Sequence, residues 1–532
     1  MHLSIFMFYA SGILGLAFLG RLLPRLPLFD AISADGFFHL AMAERIRSNG
    51  LRIPDTVRNI SLKHRYDYPF FYHWLLALFP ERGMRWAKVL TAPIAYTGVT
   101  ACALAFSRSL YSVYLPGRET ELSLWTALLV ALAPPLILTG NHSKSFSGSP
   151  RPLGQFLFSI FLCSQLAISL GWQPFLWFGV SVVVVAVTCV TSKFTNQVLF
   201  FFGIILLFFG NWEPMTALLS GVILSSLFSG MRTLKVLRGQ IMHSYFYYTR
   251  LQHRYLYPLR KPFAYVKRAT GEMLCFFKNP AGPFIWFFSE GFLPHMLLTT
   301  YPHLLIVGFF WLHGCKAFVA GNSAQPAIMA LIPWLFAGVL CMVFTSTKLL
   351  MFLGDPERYM EHTIIPQFCL FVLVAAETGI SWLLPAMLIY SGFFYLIHIA
   401  VYRKSMRNRT EIVKTLPELI KNIDREDTVL YGIGNLSWPL LYATKKASII
   451  SSGVNIDPYY TNLEEWEEVW GNCSYPGIKI MELIPKYKIT YLVGTDTSIE
   501  EYEKTLKDDA FSSGKFETLA TSGDFKLMRL KS

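Results

Sequence analysis

The sequence predicts an α-helical polytopic membrane protein with a small α/β domain at its C-terminal end. Hydrophobic residues make up 53% of the 532 residues, charged residues only 15%, and the mean hydropathy is +0.41. Soluble globular chains do not have such a composition. Charge also divides the chain, because residues 411–532 hold 14 Lys+Arg and 19 Asp+Glu, whereas the preceding part holds 33 and 15. The basic membrane part suits anionic lipid headgroups, and without a nucleic-acid motif the sequence disfavours nucleic acid as a partner.

The apolar runs predict about eleven transmembrane helices, because about 20 apolar residues cross the roughly 30 Å hydrocarbon core. The predicted spans are 3–20, 86–107, 120–139, 152–170, 174–190, 196–210, 214–230, 296–313, 324–345, 364–377 and 380–402. The first is not interpreted as a cleaved signal peptide, because it lacks a basic start and a small-residue cleavage site.

Two regions outside these spans have their own character. Residues 231–295 are basic, and Tyr and Phe alternate there with Arg and Lys, which is typical of an amphipathic helix in the membrane interface. In residues 411–532, the strand-like strings DTVLYGI, ASIIS and ITYLVGT alternate with the helical strings LEEWEEVW and SIEEYEKTLKD. That alternation predicts a soluble α/β domain following a membrane domain of residues 1–405.

Two carboxylates, Asp30 and Asp35, follow the first predicted span. A carboxylate at a membrane surface, beside aromatic and basic groups, can act as a base or a cation ligand toward a lipid-phosphate substrate. His39 lies one helical turn after Asp35 and could orient the acid. Other roles stay open: Asp35 could cap a helix that starts at Gly36, Asp30 could be a solvated loop charge, and His39 an ordinary interfacial histidine.

The same stretch resembles the first external loop of the GT-C glycosyltransferases, polytopic enzymes that use polyprenyl-phosphate-linked sugars. The resemblance rests on Asp35-Gly-Phe-Phe-His39-Leu, a helix ending at Gly50, Ile53-Pro54-Asp55, and Tyr68-Pro69 through His73. It implies a GT-C-like fold whose first external loop is 21–85. It also implies that Asp35 activates an acceptor for attack at the anomeric carbon with inversion, while the lipid phosphate leaves.

The second part of this loop is a candidate substrate site. By the resemblance, Asp67, Tyr68 and His73 belong to a wall of the sugar pocket. The alternative is a helix started by Pro69 within an aromatic belt at the membrane interface.

A metal site is less clearly indicated. Many relatives place a second acidic residue in the loop after the third span, but residues 141–151 contain none. This departure disfavours a two-carboxylate site and favours metal-independent chemistry. If a divalent cation such as Mg or Mn is bound, Asp35 and Asp30 are the candidate ligands. No nucleotide or redox cofactor is implied.

Several cations could hold phosphate oxygens. Lys144, Arg151 and Lys193 are predicted on the same face as the acidic loop, and Arg can bind phosphate through a bidentate fork. Arg358-Tyr359 looks like the Arg-Tyr segment ahead of a late span in many GT-C enzymes. This resemblance implies that Arg358 contacts the lipid-linked phosphate and makes Tyr359 a candidate substrate contact beside it. Alternatively the first three are snorkelling interface charges, and Arg358 pairs with a neighbouring carboxylate.

The resemblance therefore implies a membrane glycosyltransferase in cell-envelope glycan or polysaccharide biosynthesis. Its donor would be a polyprenyl-phosphate sugar, and its acceptor a hydroxyl on a lipid, glycan or protein. The C-terminal region lacks a WWDYG-type motif, which disfavours sequon-directed transfer to protein. The alternatives are a transporter or flippase of lipid-linked glycans, and a non-catalytic assembly protein.

Two arguments disagree about which side of the membrane carries the candidate site. With eleven spans, the acidic loop, the basic segment, Arg358 and the C-terminal domain share one face, which carries most loop Lys and Arg. The positive-inside rule would place that face in the cytoplasm. The resemblance places it outside, beyond the cytoplasmic membrane in a prokaryote. Because the rule weakens for loops longer than about 60 residues, the external face is expected.

Overall fold

The computed structural model describes residues 2–57, 60, 65–136, 138–139, 142–143, 148–251, 270–271, 274, 302, 305–307, 324–347, 349–354, 356–407, 409–434, 436–450, 463–470 and 475–531. Lys144, most of the predicted span 296–313 and most of the basic segment after residue 251 lie outside these residues.

Apolar helices make up most of the described residues between positions 2 and 407. Among the residues that the structure describes, four helices are long and apolar enough to cross a membrane, namely Ser4–Leu28, Glu81–Tyr114, Arg151–Ser169 and Gln325–Thr345. Shorter apolar helices accompany them at Pro174–Cys189, Lys193–Phe208, Glu213–Phe228, Ile364–Glu377 and Leu383–Leu396. The chain is an integral membrane protein, and the count of about eleven spans stays a prediction.

The helices of this part are named in chain order. They are α1 (His2–Leu22), α2 (Ala34–Ser48), α3 (Phe71–Ala77), α4 (Glu81–Tyr114), α5 (Glu119–Ala131), α6 (Arg151–Ser169), α7 (Pro174–Cys189), α8 (Lys193–Phe208), α9 (Glu213–Phe228), α10 (Arg232–Phe246), α11 (Gln325–Thr345), α12 (Glu357–Glu361), α13 (Ile364–Glu377) and α14 (Leu383–Arg407). Between α5 and α6, the two-residue strands β1 (Leu138–Thr139) and β2 (His142–Ser143) pair antiparallel.

Helix α13 lies at the centre of the bundle, since nearly every residue from Ile364 to Ala375 is buried. A helix that is apolar on all sides can be surrounded either by other helices or by lipid, and the burial of α13 shows that other helices surround it. The Tyr111 hydroxyl of α4 donates to the Cys369 carbonyl at 2.9 Å and fixes α13 against α4. Small residues bring other helices close: a Cβ on Gly221 of α9 would lie 2.5 Å from Val185 of α7.

The C-terminal part is a five-stranded mixed sheet with helices packed around it. Its strands are β3 (Val429–Gly432), β4 (Ser448–Ile450), β5 (Tyr491–Thr495), β6 (Phe516–Ser522) and β7 (Phe525–Leu530), in the order β4-β3-β5-β7-β6. The first three pair parallel, and β7 pairs antiparallel with both β5 and β6. The helices are α15 (Arg409–Ile420), α16 (Ser437–Ala443), α17 (Leu463–Trp470), α18 (Ile480–Tyr487) and α19 (Asp496–Leu506).

This sheet region shares a hydrophobic core with the loop that follows α1. The ring of Phe38 on α2 lies 5.0 Å from that of Trp438 on α16, and Phe37 lies 5.6 Å from Tyr442. Arg45 donates to the Leu441 carbonyl at 3.1 Å. Residues of α2, α15, α16, β3 and β5 belong to one buried cluster. The loop helix α2 is therefore held between the membrane helices and the C-terminal sheet.

Helix α10, the first part of the basic segment, connects the same two regions. Arg232 donates to the Ile53 carbonyl at 3.1 Å, which fastens the start of α10 to the loop after α2. At the other end, the Phe246 ring lies 4.4 Å from that of Trp466 on α17. Arg250, just beyond α10, pairs with Glu467 at 3.6 Å.

The shared core predicts a large effect of Trp438→Ala. Removing a buried indole leaves a cavity, so the free energy of unfolding should fall by about 3–5 kcal/mol. The matched control is Trp382→Ala, because Trp382 is 68% exposed. Thermal unfolding of the purified protein should show a clear drop in Tm for Trp438→Ala only. Equal Tm values for the two variants would contradict the shared core.

Candidate functional site

Asp35 lies in the first turn of α2 but does not cap it. The helix begins at Ala34, and the Ser33 hydroxyl accepts the capping hydrogen bond from the Gly36 amide at 3.0 Å. The alternative of an Asp35 cap on a helix starting at Gly36 is therefore wrong. The side chain of Asp35 is 43% exposed, so its carboxylate remains accessible at the start of the helix.

Arg151, the first residue of α6, faces Asp35. Its Nη2 atom lies 4.0 Å from the Oδ2 atom of Asp35. The chain just before α6 is fixed in place, because the Tyr72 hydroxyl donates to the Gly148 carbonyl at 3.0 Å. Gly148 has φ +64°, and a Cβ there would lie 2.9 Å from the side chain of Lys88. The left-handed backbone and this close approach both favour glycine.

Asp30 also lies beside an arginine, since Nη1 of Arg85 is 3.6 Å from its Oδ1 atom. A divalent cation held by Asp30 and Asp35 would have to compete with Arg85 and Arg151. No group of three or more His, Cys, Asp or Glu side chains within the described ranges is placed to hold a metal ion. The two carboxylates therefore fit a metal centre poorly.

Three buried side chains form a hydrogen-bonded chain beneath Asp35. Nδ1 of His39 lies 2.6 Å from Nε2 of His73, and the other ring nitrogen of His73 bonds to the Tyr66 hydroxyl. Burial, and secondly Arg151, lowers the pKa of His39 to about 3. Burial, and secondly His39, holds the pKa of His73 well below its usual range. Both imidazoles are therefore neutral at neutral pH, and each can donate from one nitrogen and accept at the other.

Tyr68 connects this chain to the carboxylate. Its ring stacks on His73 at a centroid distance of 5.6 Å and an interplanar angle of 21°. Burial raises the pKa of the Tyr68 phenol, and the nearby Asp35 carboxylate raises it further, while Arg151 opposes both. Tyr68 therefore stays protonated, as a hydrogen-bond donor near the Asp35–Arg151 pair.

A small cleft adjoins these residues; the space in and around it that is free of protein atoms is about 390 Å³, including the open solvent at its mouth. It is lined by Phe38, Arg65, Tyr66, Asp67, Tyr68, Pro69, Lys193, Val236, Gly239, Gln240 and His243. The structure thus brings the predicted residues Asp67, Tyr68 and Lys193 to one cleft, whose far wall is α10. Gly239 permits the close approach of α10, because a Cβ there would lie 2.5 Å from the Asp67 carbonyl oxygen.

The N-termini of α6 and α8 meet beside this cleft. A Cβ on Gly154 of α6 would lie 2.3 Å from the Thr195 hydroxyl of α8, so only glycine allows this contact. Arg151 begins α6 and Lys193 begins α8. Two helix N-termini, each carrying a cation, create a positive field that favours an anionic group.

The adjacent residues Arg358 and Tyr359 have different surroundings. The guanidinium of Arg358 lies 5.8 Å from the ring centroid of Phe194, which follows Lys193, so Arg358 belongs to the same cationic region. Tyr359 is fully buried, and its hydroxyl accepts from Gln197 at 2.6 Å. Its predicted contact with substrate is therefore not available in this structure, and it supports the turn that carries Arg358.

Several residues of the site were not found from the sequence. Tyr66 directly precedes Asp67 and Tyr68, which were predicted for the wall of the sugar pocket, so its place next to His73 was within reach of the pattern. Gln240 and His243 could not be found from the sequence, because only the folded chain brings α10 against the loop. Arg409 at the start of α15 was also missed; burial lowers its pKa, and the Asp35 carboxylate opposes that effect.

Comparison with solved structures identifies the architecture. The crystal structure of ArnT from Cupriavidus metallidurans bound to undecaprenyl phosphate aligns with a TM-score of 0.55 and 12% identity, over 98% of this chain and 97% of that one. The archaeal oligosaccharyltransferase AglB from Archaeoglobus fulgidus, in complex with an inhibitory peptide and a dolichol-phosphate, aligns with a TM-score of 0.55 and 9% identity, over 98% and 74%. Both are GT-C glycosyltransferases.

The chain has a GT-C-like fold. The apo form of the Archaeoglobus fulgidus oligosaccharyltransferase agrees, with a TM-score of 0.53 and 11% identity over 93% of this chain and 69% of that one. No protein-family model matches the sequence, and no curated protein matches it significantly. At these identities the likeness establishes the GT-C-like fold alone.

The buried imidazoles predict a pH-dependent stability. The ordinary pKa of His39 is 6.5, and burial lowers it to about 3 in the folded state. Between these values the unfolded chain binds a proton that the folded chain does not, so stability falls as pH decreases. The loss is at most about 1.4 kcal/mol per pH unit for each imidazole.

Tm measured from pH 7 to pH 4.5 should therefore fall more steeply for the wild type than for His39→Gln/His73→Gln, which lacks both titrating groups. All other titrations are common to the two proteins. Parallel Tm curves would show that the imidazoles are not buried in their neutral form.

Proposed function

We propose that this protein is an inverting membrane glycosyltransferase that transfers a sugar from a polyprenyl-phosphate-linked donor to a hydroxyl acceptor on a lipid, glycan or protein. The observation that carries the proposal is the half-exposed Asp35 carboxylate, 4.0 Å from Arg151 and beside the cleft that contains Lys193. A base and a group of cations adjoin one another at the membrane surface, as this reaction requires. The GT-C-like fold supports the same reaction class.

The reaction assigns a separate role to each charge. The acceptor oxygen attacks the anomeric carbon, and its proton passes to the Asp35 carboxylate. The bond from the anomeric carbon to the phosphate oxygen breaks, and the lipid phosphate leaves with the electron pair. Arg151, Lys193 and Arg358 stabilise the negative charge that develops on that phosphate. One displacement inverts the anomeric configuration.

The aromatic side of the cleft suits the sugar. Tyr68, which is partly exposed at the cleft, offers its ring to the apolar side of a pyranose, and Asp67 offers a carboxylate to its hydroxyl groups. The ArnT structure contains undecaprenyl phosphate and the AglB structure contains a dolichol-phosphate, which supports a lipid-linked donor. The biological setting that we propose is envelope glycan or polysaccharide synthesis.

The Asp35→Asn variant tests whether the protein is a glycosyltransferase or a transporter. The amide preserves shape but accepts no proton, so turnover should fall by about 10²–10⁴, with little change in Tm. Asp496→Asn is the matched control, because Asp496 is an exposed carboxylate paired with Lys526 on the C-terminal sheet.

The measurement is sugar transfer by purified protein from a synthetic polyprenyl-phosphate sugar. Full transfer by Asp35→Asn would reject Asp35 as the base. If the wild type transfers nothing but moves a labelled lipid-linked glycan across liposomes, the protein is a flippase. If it does neither, the assembly role is favoured.

Arg358 should stabilise the transition state through a bidentate contact between its guanidinium group and the donor phosphate. Removing a bidentate contact with phosphate at a partly buried site costs about 2–4 kcal/mol of transition-state stabilisation, whereas an exposed ion pair is worth less than about 1 kcal/mol. Arg358→Ala should lower kcat/KM well over tenfold, and Arg358→Lys should recover only part of it. Equal kcat/KM for all three proteins at subsaturating donor would instead favour Arg151 and Lys193 as the phosphate ligands.

The proposed orientation places the C-terminal sheet outside the cell. Lys504 is exposed on α19, so Lys504→Cys, in a Cys473→Ser background, should react with a membrane-impermeant maleimide on intact cells. Labelling only after permeabilisation would show that the positive-inside argument was right.

A further inference from the structure

Lys88 is a buried lysine in a membrane-spanning helix. It lies on α4, within the span Glu81–Tyr114, and is only 2% exposed. Removing an ammonium group from water is costly unless polar groups of the protein replace the water. A charged residue inside a span therefore indicates a function, and its contacts show what that function is.

The ammonium group of Lys88 holds the segment that leads to Asp35. Its Nζ atom donates to the Phe29 carbonyl at 3.3 Å and to the Ala31 carbonyl at 3.2 Å. Asp30 lies between these two acceptors, and Asp35 follows four residues after Ala31. One side chain thus fixes the backbone on both sides of Asp30, directly before the helix that carries Asp35.

The carbon chain of Lys88 packs on the turn that leads to Arg151. A Cβ on Gly148 would lie 2.9 Å from the Cγ atom of Lys88, so the side chain and the turn are in direct contact. Arg151 begins α6 three residues later. Lys88 therefore touches both backbone segments that carry the Asp35–Arg151 pair, whose charged atoms lie 4.0 Å apart.

The loop after α1 is also attached to α4 by two arginines. Arg25 donates to the carbonyl of Val89, the residue after Lys88. Arg85, three residues before Lys88, pairs with Asp30 at 3.6 Å. Because these contacts remain when Lys88 is replaced, a variant at position 88 should keep its fold. The role of Lys88 can therefore be tested separately from the folding of the loop.

We propose that Lys88 is a positioning residue, whose ammonium group and carbon chain together set the distance and direction between the Asp35 carboxylate and the Arg151 guanidinium. The inference rests on the proposed function, because this geometry matters only if the pair acts on an acceptor and a phosphate. A misplacement of about 1 Å can lower a rate by about 10²-fold. A buried charge that prevents such a misplacement therefore has a clear role in the reaction.

Two substitutions separate the two contacts of Lys88. Lys88→Met removes the ammonium group and keeps an unbranched chain, whereas Lys88→Ala removes both. Hydrogen–deuterium exchange, which reports local opening, should be faster in residues 29–35 of both variants and faster in residues 148–151 of Lys88→Ala. The matched control is Tyr111→Phe, which removes a buried hydrogen bond from the same helix to the Cys369 carbonyl. It should leave both segments at the wild-type rate.

Sugar transfer from a synthetic polyprenyl-phosphate sugar distinguishes positioning from support of the fold. Lys88→Met should lower kcat by about 10²-fold. The KM for the donor should stay close to that of the wild type, because Lys193 and Arg358 still face the phosphate. Tyr111→Phe should lose stability but keep the wild-type kcat.

Wild-type exchange in residues 29–35 of Lys88→Met would show that the ammonium group does not hold this segment. Faster exchange with a wild-type kcat would show that it holds the segment without positioning the pair. Either result overturns the inference while the wild type stays active. Failure of the proposed function is distinct, because the wild type itself would then transfer no sugar, and the inference would fall with it.

Discussion

The contact between α2 and the C-terminal sheet is the interaction on which the site depends. Phe38 packs on Trp438 on one side and on Tyr68 and His73 on the other. Burying one such ring contributes about 1.5–3 kcal/mol, and the shared cluster contains many of them. Because Asp35 begins α2, the packing of that helix fixes where the carboxylate stands. The C-terminal sheet thus takes part in placing the candidate base, although the sheet and Asp35 lie near opposite ends of the sequence.

The distribution of charged and neutral side chains in the site also follows from burial. A buried charge without a partner is costly, and a buried histidine avoids that cost by staying neutral. His39 and His73 follow this rule, so they order the aromatic core without adding charge to it. The charges suited to chemistry, Asp35, Arg151 and Lys193, stand instead at helix starts beside the cleft. Close glycine contacts at Gly148 and Gly154 bring those starts together, which places opposite charges a few ångströms apart.

The sequence was informative where a pattern is local. Apolar runs correspond to helices in most of the described membrane part, although the predicted span 120–139 is α-helical only as far as Ala131. The acidic loop carries the Asp35 site, and β3, β4 and β5 lie within the three strings that predicted strands. The strands β6 and β7 were missed, because the FETLATS string is largely exposed and has no clear apolar alternation. Ser33 was overlooked as the cap because Asp35, two residues on, is also a good capping residue.

Non-local features could not be predicted in this way. The contact between α2 and α16 could not be predicted, since nothing in the α2 sequence identifies α16 as its partner. Helix α10 can line the cleft only because residue 239 is a glycine. The need for glycine there follows from the nearby backbone of Asp67, and the sequence does not show that these two residues are neighbours. Tyr359 was grouped with Arg358 as one motif, but adjacent residues on a helix point about 100° apart. One side chain therefore reaches the cationic region while the other is buried.

The central claim is that this chain attaches a sugar, and it is tested most directly in the organism. Lipid-linked and envelope glycans should be compared by mass spectrometry between cells with the gene and cells without it. Loss of the gene should remove a glycan that is larger by one sugar unit, and the corresponding polyprenyl-phosphate sugar should accumulate. Glycans of unchanged composition on both sides of the membrane would contradict the account.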